Sequence, residues 1–313
     1  MAIVKDLAQV LRVYEHGNTS LVLVFLCRRL GQVRVLAKGA RRWARNGFAG
    51  GFDLLVRGEL VVYPRRDDAL WIFKEWEERA RPAKLGRSPV TLRAASYLCE
   101  LAEAVTRETA GSGWHGEERA HRRGARDTRE AAPHAALYEQ LAEAAEVLDD
   151  GVAPGPVLLG FTLRALETAG LLPDLARCSR CGRALSGRGG ARLGREGLEC
   201  RACLGVEHGE PSEGNRSHAA GRAAARPATV RAGAPSRRGA GEAQAAGSVW
   251  LSPEALSALA YVKRTGKAVK LSRDAAGRNA RALGLLVHAA LERDLRTLPF
   301  AQAAVARMAG RRA

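Results

Sequence analysis

Residues 8–39 read AQVLRVYEHGNTSLVLVFLCRRLGQVRVLAKG. Three runs within it, AQVLRVYE, SLVLVFLCRR and QVRVLAKG, are short and rich in Val, Leu and aromatic residues. The breaks between them, HGN at 16–18 and LG at 30–31, are turn signals. Two further runs, FDLLVRGELVVY at 52–63 and ALWIFKEWE at 69–77, are set off by NG at 46–47 and PRRDD at 64–68. Five short strands in about 80 residues suit a small barrel. An OB-fold over residues 1–82 is the natural five-stranded candidate, and an SH3-like barrel fits the same pattern.

After Pro82 the texture changes to helix. Ser88 suits an N-cap and Pro89 the first helical position. Leu92, Ala95, Leu98, Ala102 and Val105 then recur at threes and fours as one buried stripe. AALYEQLAEAAEVLDD (135–150) carries a similar stripe through Leu137, Leu141, Ala144 and Leu148, and a third helix runs from Pro156 to Gly170. Residues 111–134 are polar and charged and read as a long loop. From Gly205 to Ser248 only Val206 and Val230 are large and apolar, so the segment cannot offset its ordering entropy and is expected to be disordered. Order resumes at VWLSPEALSALAYVKR, with Ser252 as cap, Pro253 at the first position and Leu256, Leu259 and Ala260 facing inward. A last helix from Arg273 buries Ala276, Ala280, Leu283, Val287, Leu291 and Leu295. The expected fold is therefore α+β: a barrel (1–82), then a helical bundle (83–176 and 249–313) interrupted by a cysteine module (177–204) and the Ala/Gly/Arg-rich segment (205–248).

That module reads CSRCGRALSGRGGARLGREGLECRAC, with C-x2-C pairs at Cys178/Cys181 and Cys200/Cys203 and 18 residues between them. Thiolates in paired knuckles suit Zn²⁺ in a closed tetrahedron, which points to one structural zinc per chain. A redox dithiol is the rival, but two pairs without a thioredoxin-like βαβ unit argue against it. Four thiolates would also fill the coordination sphere and leave no position for a catalytic water. Cys27 and Cys99 fall at apolar positions and read as inert buried thiols. Some arginines around the module would offset the −2 of a four-thiolate zinc, while Arg188, Arg192 and Arg195 could meet phosphate.

Lys and Arg number 50 against 33 acids, a formal charge of +17, which favours a polyanionic partner. The start MAIVKDLAQVLRVYEHG does not read as a signal peptide, and no run approaches the length of a membrane span, so a cytoplasmic, non-membrane setting is expected. In VRVLAKGARRWARNGFAGGF (33–52), Arg34, Lys38, Arg41, Arg42 and Arg45 occur with no acid, and Trp43 lies among them. Basic grooves with aromatic platforms bind single-stranded nucleic acid. The bland reading is a solvated loop with Trp43 folded onto the barrel wall. The sequence contains no phosphate-loop, G-x-S-x-G or H-E-x-x-H pattern, which points away from an enzyme.

The ordered combination of basic barrel, helices and inserted four-Cys module resembles the RecO family of bacterial DNA repair and recombination mediators. VRVLAKGARR resembles the family's strand leading into a basic turn, GLLPDLARCSRCGR its entry to the zinc module, and LLVHAALERDLRTLPF its closing helix and the segment after it. The likeness covers about residues 1–110, 135–205 and 249–300. It implies a non-enzymatic, nucleoid-associated protein that binds single- and double-stranded DNA and anneals complementary strands. It also implies RecR, RecF and single-strand binding protein as partners in loading recombinase. DNA contact carries over to Lys38, Arg41 and Arg42, and zinc ligation to the four cysteines; Arg34 and Arg45 are added from charge and position. The competing class is an RNA- or ribosome-associated barrel with a zinc ribbon.

Overall fold

The computed structural model describes residues 3–40, 52–65, 70–111, 132–185, 189–205 and 247–309. Strands β1 (Val4–His16), β2 (Ser20–Cys27), β3 (Gly31–Ala37), β4 (Arg57–Tyr63) and β5 (Trp71–Ala80) close into a barrel in the order β1-β2-β3-β5-β4. Neighbours pair antiparallel except β3 and β5, which run parallel at Val35–Trp71 and Leu36–Ile72. This is an OB-fold barrel. Val10, Leu23, Phe25, Val33, Val35, Leu60, Val62, Trp71 and Trp76 fill it. Phe25 and Trp76 pack at a tilt with ring centroids 5.3 Å apart, and Phe52 meets Phe25 edge-on.

Two local departures from simple alternation shape the barrel. The expected strand 52–63 begins only at Arg57, because Leu55 takes φ +64° and breaks the run. The Leu55 N–H donates to the Val10 carbonyl and the Val10 N–H donates to the Val56 carbonyl. They meet β1 at its bulge between Val10 and Arg12. A bulge adds a residue and inverts the facing of the residues after it. Arg12, Tyr14 and His16, which alternation from Val10 would turn inward, are thus opposite Val24, Val22 and Ser20, on the outer face.

The helices are α1 (Pro89–Gly111), α2 (Ala132–Asp149), α3 (Pro154–Thr168), the short α4 (Arg201–Leu204), α5 (Pro253–Thr265), α6 (Arg273–Leu291) and α7 (Leu298–Ala306). The Val90 N–H donates to Ser88 Oγ at 3.2 Å, and the Ala255 N–H to the Ser252 cap at 3.2 Å. One continuous core joins helices from both sides of the 206–246 segment. Its centre is α3, which starts two residues before Pro156 and buries Val157, Leu158, Leu159, Phe161, Leu163 and Leu166. Two inward assignments fail. Leu92 is exposed, and so is Ala260, whose place is taken by Ala258 and Val262. The helix from Arg273 is not the last: it ends at Leu291, Glu292 turns left-handed, and α7 comes after it. The N–H groups of Arg296 and Thr297, ahead of α7, both donate to the Glu100 carboxylate at 3.0 Å.

Barrel and bundle are packed together. Leu11, Val24 and Leu26 turn their side chains out of the barrel into the helical core. Gln9 Nε2 donates to the Tyr138 carbonyl at 2.6 Å, and Arg28 pairs with Glu139 at 2.9 Å. His134 at the start of α2 lies against Gly31 in the β2–β3 turn. Burial lowers the His134 pKa from 6.5 to about 4. The unfolded chain therefore takes up this proton first, and stability present above about pH 6.5 is lost as the pH falls toward 4. Denaturant midpoints at pH 7 and pH 5 should differ less in His134→Gln than in the parent; equal pH dependence would remove His134 as a cause.

Candidate functional site

The four module cysteines converge. Their sulfurs all lie within 4.8 Å of one another, with Cys178–Cys203 at 3.9 Å and Cys181–Cys200 at 3.7 Å. A tetrahedral ion with metal–sulfur bonds of about 2.3 Å needs sulfur–sulfur edges of about 3.8 Å, so the donor set fits. A disulfide needs about 2 Å, and all six cysteines are free.

Local backbone explains the convergence. In the first knuckle the Gly182 N–H returns to the Cys178 carbonyl at 2.9 Å, with Gly182 at φ +70°, a conformation glycine adopts without strain. The second knuckle is strand β7 (Gly197–Cys200) running into α4, closed by Gly205 at φ +67°. The Cys200 N–H points at Cys178 Sγ, 3.3 Å away, which ties the knuckles together. Desolvation opposes ionisation of Cys178, but N–H groups of Cys200, Cys181 and Arg180 hold its thiol down at about 6. Strand β6 (Ala191–Gly194) pairs with β7 on one side and with β8 (Val249–Leu251) on the other. The module's sheet is thus completed by chain from beyond residue 246. Arg180 and Arg177 donate to the Cys203 and Gly182 carbonyls, Arg192 pairs with Glu199 at 2.5 Å, and Arg201 lies over the Trp250 ring at 5.1 Å. Of the arginines read as possible phosphate contacts, Arg192 is thus engaged, Arg195 is exposed at the hairpin tip, and Arg188 lies outside the described residues.

Cys27 and Cys99 are buried, and burial pushes the Cys99 thiol up to about 12 and raises that of Cys27 as well. Neither is poised to react.

Along β3 and the residue after it, the outward Arg34, Leu36 and Lys38 alternate with the inward Val33, Val35 and Ala37. The pairing carries them into rows around the barrel. One row is Arg12–Val24–Arg34 and the next is Tyr14–Val22–Leu36–Ile72. With two residues between rows, cation, apolar platform and cation succeed one another along β3 at about 7 Å steps. Tyr14 is 46% exposed. Lys38 is exposed and pairs with no acid among the described residues, whereas Arg34 comes within 3.9 Å of Glu103. Arg41, Arg42 and Arg45, together with Trp43 and the NG turn, lie outside the described residues. Arg12 and Tyr14 were not among the sequence candidates. Strand alternation alone would place them inside, and the bulge is what turns them out.

Known proteins resemble this chain over most of its described residues. The Recombination protein O N-terminal domain matches residues 1–79 and the Recombination protein O C-terminal domain residues 125–237. Proteins named DNA repair protein RecO are similar to this chain. That of Rhodopirellula baltica is 28% identical over 177 residues, 56% of this chain and 57% of the relative. That of Alkaliphilus metalliredigens is 25% identical, covering 66% and 74%. That of Anaeromyxobacter sp. (strain K) is 30% identical, covering 64% of this chain and 70% of the relative. With both domains matched in order and the barrel closed as found, the chain belongs to the RecO family.

Proposed function

We propose that this protein acts in DNA repair and homologous recombination as a mediator. It binds single- and double-stranded DNA, lets complementary strands anneal, and helps load recombinase onto protein-coated single strands together with RecR and RecF. The observation that carries the DNA-binding part is the outer barrel strip, with Arg34 and Lys38 flanking the Tyr14–Val22–Leu36 platform. Arg41, Arg42 and Arg45 follow Lys38 in sequence. A base stacked on an aromatic ring contributes roughly 1–3 kcal/mol, and lysine or arginine beside it releases counterions from phosphate. Neutralising two backbones on one surface removes the repulsion that keeps complementary strands apart. The four thiolates are proposed to hold zinc. The reading assigns the protein no reaction, and a tetrahedral ion with four sulfur ligands has no site for water.

The test uses the full chain with labelled single strands. Lys38→Glu should weaken single-strand binding roughly tenfold and slow annealing of strands coated with single-strand binding protein. The slope of log affinity against log salt should become shallower by about 0.7 or more. An unchanged slope would remove the barrel strip from the binding site. Preference for RNA over DNA of equal length would replace the DNA reading with the RNA-binding one.

A further inference from the structure

The same strip runs into an unusual group of charges where barrel and bundle meet. Glu103 on α1 is nearly enclosed, with 4% of its side chain exposed. Arg12 Nε donates to its Oε2, and Arg107, one helical turn along α1, donates to its Oε1. Arg34 approaches from β3 and stops 3.9 Å from Oε1, near enough to feel the charge but beyond hydrogen-bond reach. The next acid, Glu100, is 3.9 Å from Arg12, but its oxygens already accept from the Arg296 and Thr297 N–H groups and the Thr297 hydroxyl.

We infer that the phosphate-binding surface continues from the barrel onto α1, through a subsite made by Arg12, Arg34 and Arg107 around Glu103. This rests on the barrel-face reading and extends it to residues on another element. Arg12 alone ties β1 to Glu103, and Arg107, four residues on in the same helix, already occupies the other oxygen, so joining barrel to bundle does not need Arg34. The third guanidinium adds like-charge repulsion that an anion would relieve. Each guanidinium has five N–H donors in a fixed fork, suited to two oxygens of a phosphate. The three side chains remain 34%, 52% and 41% exposed, so donors not spent on Glu103 face solvent. Placement agrees with the chemistry. Arg12 and Arg34 flank Val24 in the row next to Tyr14 and Leu36, so a strand whose base rests on the platform brings its backbone beside them. Glu103 is the positioning residue. It holds two of the forks in place, and the Thr106 hydroxyl lies 2.9 Å from Gln32 Oε1, which sets the same stretch of α1 against β3.

The experiment is fluorescence anisotropy of a labelled oligothymidylate with the full chain over a series of salt concentrations. Arg107→Ala and Arg12→Ala should each weaken binding roughly three- to tenfold and make the salt slope shallower by about 0.7. Arg107→Lys, which keeps the charge, should restore the slope. Each single alanine variant leaves Glu103 a remaining arginine, and thermal melts would confirm that the fold is retained. If Lys38→Glu weakens binding but both arginine variants match the parent in affinity and slope, the subsite is refuted and the barrel reading stands. If the arginine variants weaken binding and Lys38→Glu does not, the subsite around Glu103 stands and Lys38 is removed from the barrel contact. If none of the variants has an effect, both are refuted.

Discussion

Cys200→Ser should strip the protein of its metal, from about one ion per chain to none, and unfold the module while barrel and bundle stay folded. Cys200 is the point where several constraints meet. Its sulfur is 3.7 Å from that of Cys181, its N–H points at Cys178, and its strand pairs Cys200 with Ala191. A hydroxyl offers no soft anionic donor, so the site falls to three thiolates. Structural zinc in small peptides contributes an apparent 10–16 kcal/mol, as much as the whole stability of an ordinary domain. The module has little else to hold it. Leu193, Leu198, Val249 and Leu251 join the helical core, but β6 and β7 are four residues each and β8 three. All the helices but the four-residue α4 lie outside the module, so far-UV ellipticity should change little. Hydrogen exchange should speed up over 178–200 and at β8. It should also quicken at the first turn of α5, because the Ser252 cap comes directly after β8. Metal content equal to the parent would refute ligation by Cys200. Unchanged exchange at β8 after metal loss would show that the sheet holds by its own pairing.

How much of the fold is legible in the sequence depends on how local the signals are. The barrel strands are recognisable because Val33, Val35 and Ala37 alternate with polar or half-buried neighbours, and glycine or asparagine marks the turns. The helices start where Ser-Pro places them, at Ser88 and Ser252. The four-cysteine cluster is legible because two knuckles and a hairpin bring the sulfurs together over one short stretch. Non-local effects leave no such mark. β8 is three residues long and becomes a strand only because β6 offers it an edge across the 206–246 segment. The bulge at Val10/Arg12 depends on Leu55 and Val56, more than 40 residues away, and it alone turns Arg12 and Tyr14 outward. α7 carries Pro299 at its start and few large apolar residues. It is helical because Glu100 receives its leading N–H groups and α3 accepts its small side chains, where Gly155 lets the backbones close to contact. Leu92 follows the helical period but stays 46% exposed, which periodicity cannot reveal.

Gly31→Ala should cost about 2–4 kcal/mol of stability, a large effect for one methyl group. Two independent causes add. Gly31 sits at φ +71° in the β2–β3 turn, where a side chain is strained by about 1–2 kcal/mol. A Cβ there would also overlap the His134 ring, coming within 2.8 Å of Nδ1. α2 is held to the barrel beside this contact by Gln9 with Tyr138 and Arg28 with Glu139, so relief has to come from rotation of the His134 ring and not from a shift of the helix. The two causes separate in a double-mutant cycle. In a His134→Ala background, Gly31→Ala should cost only the backbone part, about 1–2 kcal/mol by urea denaturation. Equal cost in both backgrounds would mean that the ring gives way freely and that the docking of barrel on bundle is looser than this contact implies. A clear coupling would mean that the turn leading into β3, and with it the spacing of Arg34, Leu36 and Lys38 from the arginines around Glu103, is set by the bundle. In that case the strip proposed to bind DNA is held in shape from outside the barrel, and Gly31→Ala should weaken oligothymidylate binding through the placement of Arg34, Leu36 and Lys38.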